Sequence, residues 1–219
     1  MTPELVFTFH GLGEPPGSVP DSERDVWIPV EWFEAIIDAL PRAGVSLTFD
    51  DGNVSDIESA LPALTKREMI ARFFPLTGRI DSAGYLSADD IVKLSAAGMK
   101  IGSHGLHHRD WRGLTETELH EELVASRGML ADLANTDITE AACPFGSYDR
   151  RVLRALRASG YERVFTSDGG PHAIGSWLCS RTTVSKRRPL HDWLELVKHG
   201  AGKPPGPVQL GKRLFKRVR

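Results

Sequence analysis

The sequence predicts an α/β fold, a single distorted (β/α)7-type barrel of mostly parallel strands. Three observations carry that expectation. Seven short apolar, β-prone runs recur along the chain, most of the segments between them can carry a helix, and glycines at 44, 98 and 160 close helices shortly before the next run begins. With 219 residues, 41% hydrophobic and 26% charged, the chain can bury one sizeable core and lacks the composition of a disordered or fibrous protein.

The runs are residues 5–9, 45–49, 69–74, 99–103, 138–143, 162–166 and 177–184. Helix starts are legible between them. Ser87 precedes Ala88-Asp89-Asp90, a cap followed by acids in the first turn, and Thr115-Glu116-Thr117-Glu118 is a capping box opening a helix of about 18 residues through Leu130 and Leu133. No internal linker divides the body, so residues 1–200 are expected to form one domain and 201–219 a flexible basic tail.

Charge is uneven. After Glu195 there is no acid, while Lys198, Lys203, Lys212, Arg213, Lys216, Arg217 and Arg219 add seven positive charges; taking these from the 27 lysines and arginines leaves 20 against 29 acids, a formal −9 for the body. An acidic body argues against a nucleic-acid partner. The tail, with Leu214, Phe215 and Val218 among its cations, suits peripheral contact with an anionic membrane surface. No stretch approaches the roughly 20 apolar residues of a bilayer span, and MTPELVFTFHG lacks the pattern of a secretory leader. The expected location is cytoplasmic, with the tail near a membrane. Cys143 and Cys179 are too few for a disulfide framework and are read as buried thiols.

In barrels of parallel strands the reactive residues stand on the loops that follow the strands' C-terminal ends. Here His10 follows the first run, Asp50-Asp51 the second, His104 the fourth and Pro144-Phe145-Gly146 the fifth. Adjacent carboxylates repel, and a divalent cation would explain the pair: one acid holds it, the other is left to act as a base. An Asp-Asp-Gly turn closing a strand, a common feature, also explains it. In Ser103-His104-Gly105-Leu106-His107-His108, imidazoles suited to a transition metal recur at spacings of four (His104 with His108) and three (His104 with His107), and both pairs remain open on spacing alone.

The runs TFDDG (48–52), SHGLHH (103–108) and CPFGSY (143–148) resemble, in order and spacing, the signature motifs of the polysaccharide deacetylases, the NodB-homology or carbohydrate esterase family 4 group, over about residues 5–185. The resemblance implies a distorted barrel that removes acetyl groups from N-acetylated amino sugars with one divalent metal. Carried onto this sequence, it makes Asp51, His104 and His108 the metal ligands, selects His108 over His107, makes Asp50 the general base, and gives the backbone N–H of Phe145 to the oxyanion. Zinc is the first expectation for the metal, with cobalt, nickel or manganese also accommodated.

Two departures stand out. Ala142 occupies the position of an arginine that orients the base, and the late Leu-x-His motif that supplies the general acid has no match on either side of Arg181. Instead Phe7-Thr8-Phe9-His10-Gly11 is similar to the N-terminal histidine motif of a permuted branch acting on exopolysaccharides, which makes His10 the expected acid and His191 the runner-up. Trp111 and Tyr148 are the expected substrate-stacking residues, and the long segment 11–28 a lid or wall. The expected substrate is an amino-sugar glycan or glycan precursor. The alternatives are hydrolysis of a small non-sugar amide or formyl group, and an inactive glycan-binding relative.

Overall fold

The computed structural model describes residues 3–17, 19–41, 43–199, 210–211 and 214–216. β1 (Pro3–Phe9), β2 (Val45–Asp51), β3 (Arg72–Pro75) and β4 (Lys100–Ile101) lie parallel in the order β4-β3-β2-β1. The connections are helical: α1 (Val30–Asp38) after β1, a π turn (Asp56–Ala60) running into α2 (Leu61–Lys66) after β2, and α3 (Ala88–Ala96) after β3. The helical segment after β4 comprises α4 (Glu116–His120), a π turn (Glu121–Ala125) and α5 (Ser126–Ala134). Capping boxes pair Ser87 with Asp90 and Thr115 with Glu118, as the sequence suggests.

A second parallel sheet follows. β5 (Glu140–Ala142) and β6 (Arg163–Thr166), joined through α6 (Arg150–Ala158), align with β8 (Leu178–Ser180) in the order β5-β6-β8. The two sheets meet on both sides. A parallel bridge joins Ser103 to Ala141, with Ser103 N–H donating to Glu140 O (2.9 Å) and Ala142 N–H to Ser103 O (2.8 Å). Opposite, the chain leaves β8, bends at Arg181 and continues as β9 (Thr182–Thr183), which pairs parallel with β1. The seven expected runs therefore stand around one ring, distorted because one joint is a single bridge and the other a bend.

Two details depart from the sequence expectation. The run 177–184 is split at Arg181, whose guanidinium turns into the barrel. A two-residue strand, β7 (His172–Ala173), pairs antiparallel with β1 at Pro3 and Glu4, and two residues are too few to leave a periodic signal. α7 (Leu190–His199) follows β9.

Strand alternation divides the core in two. Leu5, Phe7, Phe9, Leu47, Phe49 and Phe73 belong to the main cluster, which includes Phe33, Ile36 and Ile37 of α1. There Phe49 stacks between Phe9 (5.4 Å) and Phe73 (4.7 Å), with Phe33 edge-on at 5.6 Å. Alternate residues point into the barrel, where Val6, Phe74, Ala142, Phe165 and Cys179 form a small separate cluster. Thr8 and Thr48 share this interior, their hydroxyls 3.0 Å apart. An interior this small leaves space at the strands' C-terminal ends for charged groups.

Candidate active site

β2 ends in the acidic pair. Asp51 takes a left-handed conformation (φ 76°), tolerated by aspartate more readily than by most residues, and Gly52 follows at φ 71°. A Cβ at Gly52 would lie 2.8 Å from Pro75 Cβ, so only glycine lets the turn pass β3. The break in the strand leaves both carboxylates buried on the barrel's cavity.

The loop after β4 supplies the imidazoles. Buried Glu122 anchors it by accepting from Leu106 N–H (2.6 Å) and His107 N–H (3.3 Å), and Ser103 Oγ accepts from Gly105 N–H (3.1 Å). His104 Nδ1 lies 2.9 Å from Ala142 O; a carbonyl can only accept, which assigns the proton to Nδ1 and leaves the Nε2 lone pair facing the acids. His104 Nε2 and His108 Nε2 each stand 3.6 Å from Asp51 Oδ1. Among the described residues these three are the group of acid, cysteine and histidine side chains that could hold a metal, their ligand atoms all within 4.8 Å of one another. Asp51 Oδ1 is buried and has no hydrogen-bond partner, the signature of a carboxylate completed by a cation. Burial pushes the His104 imidazole down to about 4, against the opposing pull of Asp50, so it is neutral and able to ligate near pH 7. The donor set fits a divalent ion. His107 turns elsewhere, its Nδ1 lying 2.8 Å from where a Cβ on Gly78 would stand.

Asp50 has a different partner. The fully buried Arg181 grips it in a fork, Nη1 donating to Oδ1 and Nη2 to Oδ2, both at 2.7 Å. The guanidinium is itself positioned by Thr48 Oγ1 (3.2 Å), Thr166 O (3.2 Å) and the rings of Phe74 and Phe165. Burial alone would raise the Asp50 carboxyl, but the Arg181 charge and hydrogen bonds, with His104 adding to them, hold it down to about 2. Arg181 is the site residue that sequence reasoning missed: an arginine from the β8–β9 bend lies on Asp50, which Ala142 cannot reach. Ala142 contributes its carbonyl, to His104.

His10 ends β1 on the cavity wall, and its Nδ1 is buried without a partner. Phe145 lies in a left-handed turn (φ 57°) and is 58% exposed, its ring 4.4 Å from that of His108. The cavity, about 300 Å³, also reaches Trp27, Arg79 and Tyr85. One wall comes from Val19, Pro20, Glu23 and Val26, inside the segment expected to be a lid or wall.

Three expected positions need correction. Trp111 is 0% exposed and packs under the histidine loop, 3.2 Å from where a Cβ on Gly105 would stand. Tyr148 is 1% exposed and donates to Asp168 Oδ2 (2.7 Å). Neither lines the cavity, so both support loops instead of offering a face to a sugar. The side chain of His191 is 78% exposed, paired with Asp192 and outside the cavity. Most of the tail lies outside the described residues, but Lys216 seats against the body, bonding Gly146 O (3.0 Å) and Asp168 Oδ1 (2.7 Å). Cys143 and Cys179 are buried free thiols. No helix among the described residues is long and apolar enough to cross a membrane.

Ring topology and site together define an α/β-barrel protein whose titratable groups gather at the C-terminal ends of parallel strands. The chain belongs to the polysaccharide deacetylase family, whose model matches residues 38–164; this is the NodB-homology, carbohydrate esterase family 4 group, and membership supports carbohydrate deacetylation. A Bacillus subtilis (strain 168) protein named "Putative polysaccharide deacetylase YxkH" is 28% identical over 126 residues, 58% of this chain and 45% of that one, so the match spans under half of the relative's length. The fold matches that of Streptococcus pyogenes deacetylase PplD, solved in complex with acetate (TM-score 0.78, 18% identity, 88% of this chain and 97% of that one). It also matches IcaB from Ammonifex degensii (TM-score 0.73, 20% identity, 90% and 98%).

Proposed function

We propose that this chain hydrolyses the acetamide of an N-acetylated amino sugar, in a glycan or glycan precursor, with one divalent metal, zinc first, held by Asp51, His104 and His108. The observation that carries the reading is the division of labour between adjacent acids: Asp51 has an unpartnered buried oxygen beside two imidazoles, while Asp50 is held by Arg181. A divalent ion held by that cluster would supply Lewis acidity, polarising the acetamide carbonyl and lowering the pKa of the attacking water.

The protein's own groups do the rest. Asp50 is the general base, and Arg181 fixes its orientation and keeps it ionised, so that it can accept a proton from the attacking water. The Phe145 N–H donates to the oxyanion. His10 is the general acid, giving a proton to the departing amine and leaving free amine and acetate. The wall from segment 11–28 narrows access and holds the sugar. Arg181 also removes the main reason for reading the chain as a binding module, since the base has an arginine partner from another strand. The reading is tested by acetate release from N-acetylglucosamine oligomers and from nucleotide- or lipid-linked N-acetylglucosamine by zinc- or cobalt-loaded protein. Release should require both Asp50 and the metal cluster, and no release from any of these by metal-loaded protein would overturn the reading.

A further inference from the structure

Arg79 carries a cation that no carboxylate of the described residues neutralises. It belongs to the turn Thr77–Arg79 after β3, on the catalytic side of the ring, and lines the same cavity as Asp50, His104 and His108. No ion pair joins it to a described residue; its guanidinium stands over the Tyr85 ring, the guanidinium carbon 4.9 Å from the ring centre. Of the acids at the strand ends, Asp50 is gripped by Arg181 and Asp51 faces the two imidazoles. Glu23 stands on the separate wall of residues 21–26 and forms no pair with Arg79.

The placement is rigid. Thr77 N–H donates to Gly105 O (3.1 Å) and Gly78 N–H to Leu106 O (2.9 Å), and a Cβ on Gly78 would lie 2.5 Å from Leu106 O, so the turn is pressed against the histidine loop. Tyr85 is bridged to Asn53, and Leu86 N–H donates to Gly52 O (2.9 Å), tying the stacking ring to the loop that follows Asp51. Backbone contacts therefore set the position of the turn that bears the cation, and of the ring it stands over, relative to both loops that carry the proposed metal ligands. An acetamide and the hydroxyls of a neutral sugar ask for hydrogen bonds. A half-buried guanidinium with free donors instead suits a carboxylate or phosphate, which it can bind through two parallel hydrogen bonds.

We propose that Arg79 is the recognition site for an anionic substituent, phosphate or carboxylate, on the amino sugar whose acetamide is presented to Asp50. The proposal rests on the deacetylase reading and narrows its substrate class to anionic N-acetylated amino sugars.

Calorimetric binding of N-acetylglucosamine, N-acetylglucosamine 1-phosphate and N-acetylmuramic acid to metal-loaded wild type, Arg79→Met and Arg79→Lys tests it, with acetate release measured in parallel. One of the anionic ligands should bind about tenfold or more tighter than the neutral sugar, phosphate and carboxylate being told apart by which one. The preference should fall to near unity in Arg79→Met and survive in part in Arg79→Lys, with circular dichroism confirming that each variant is folded. Equal wild-type affinity for neutral and anionic ligands overturns the proposal, and so does a preference that persists in Arg79→Met, because the anion would then be bound by another group such as the metal. Binding and turnover fail separately: an Arg79-dependent preference without acetate release removes the deacetylase reading alone, while release without any preference removes the anion site alone.

Discussion

Replacing Arg181 with methionine in the metal-free protein leaves Asp50 buried beside Phe74 with neither of its two 2.7 Å hydrogen bonds and without the guanidinium charge. Two consequences follow from that geometry. Breaking a buried pair by removing one partner costs about 3–5 kcal/mol of stability, so the variant should melt well below wild type. The largest of the influences that hold the Asp50 carboxyl down to about 2 is also lost, and burial, which opposes them, then raises the carboxyl. In wild type the folded-state value lies below the ordinary 3.8, so Asp50 contributes stability that is present above pH 3.8 and lost as pH falls through about 2. In Arg181→Met the sign reverses, and stability should decline as pH rises above the unfolded carboxyl's range. In catalysis, a base that is misoriented and partly protonated should cost about 10²–10⁴ in kcat/KM at neutral pH. The assay is acetate release from pH 4 to 9 for wild type, Arg181→Met and Arg181→Lys, with near-ultraviolet circular dichroism as the test of folding. The acidic limb of the profile should move to higher pH in Arg181→Met and move less in Arg181→Lys, which keeps a charge but not the fork. A folded Arg181→Met with the wild-type acidic limb and wild-type turnover would refute this role.

Three further predictions concern the cluster and the core. Asp51→Asn and His104→Ala should each abolish tight binding of one equivalent of zinc, read by metal analysis after dialysis, because each removes one of the three proposed ligands. Asp56, fully buried with both carboxyl oxygens unpartnered, is raised well above 3.8 by burial and by Asp51 and Asp50; between the unfolded and folded values the native state holds a proton the unfolded state lacks, so stability falls as pH rises. Metal-free Asp56→Asn should then be more stable than metal-free wild type above about pH 4, with a flatter dependence of melting temperature on pH. Phe49→Ala, which empties the space between the rings of Phe9 and Phe73, should cost about 3–5 kcal/mol in denaturant titration with zinc stoichiometry retained.

The ring was legible because seven apolar runs and their helix caps are local signals, and parallel strands are spaced by the helices between them. The acids and histidines were legible for the same reason: each follows a run directly, so the topology carries it to one rim. Arg181 was not, since an arginine inside the run 177–184 reads as a strand interruption, and its distance from Asp50 in sequence hides a bidentate contact made across the barrel. The absence of arginine at Ala142 was the available clue, pointing to a missing partner without saying which strand supplies it. Trp111 and Tyr148 were misjudged because proximity to a motif in sequence does not specify the face a side chain occupies. Trp111 lies beneath the histidine loop, and Tyr148 is spent on Asp168.

The most direct test of the account compares metal-loaded wild type with Asp50→Asn for acetate release from N-acetylated amino sugars, with bound zinc quantified in the same samples. The account predicts release by wild type only, with one equivalent of zinc in both proteins, because Asp50 moves the proton while Asp51, His104 and His108 hold the ion. Undiminished release by Asp50→Asn would contradict it, as would loss of the metal on replacing Asp50.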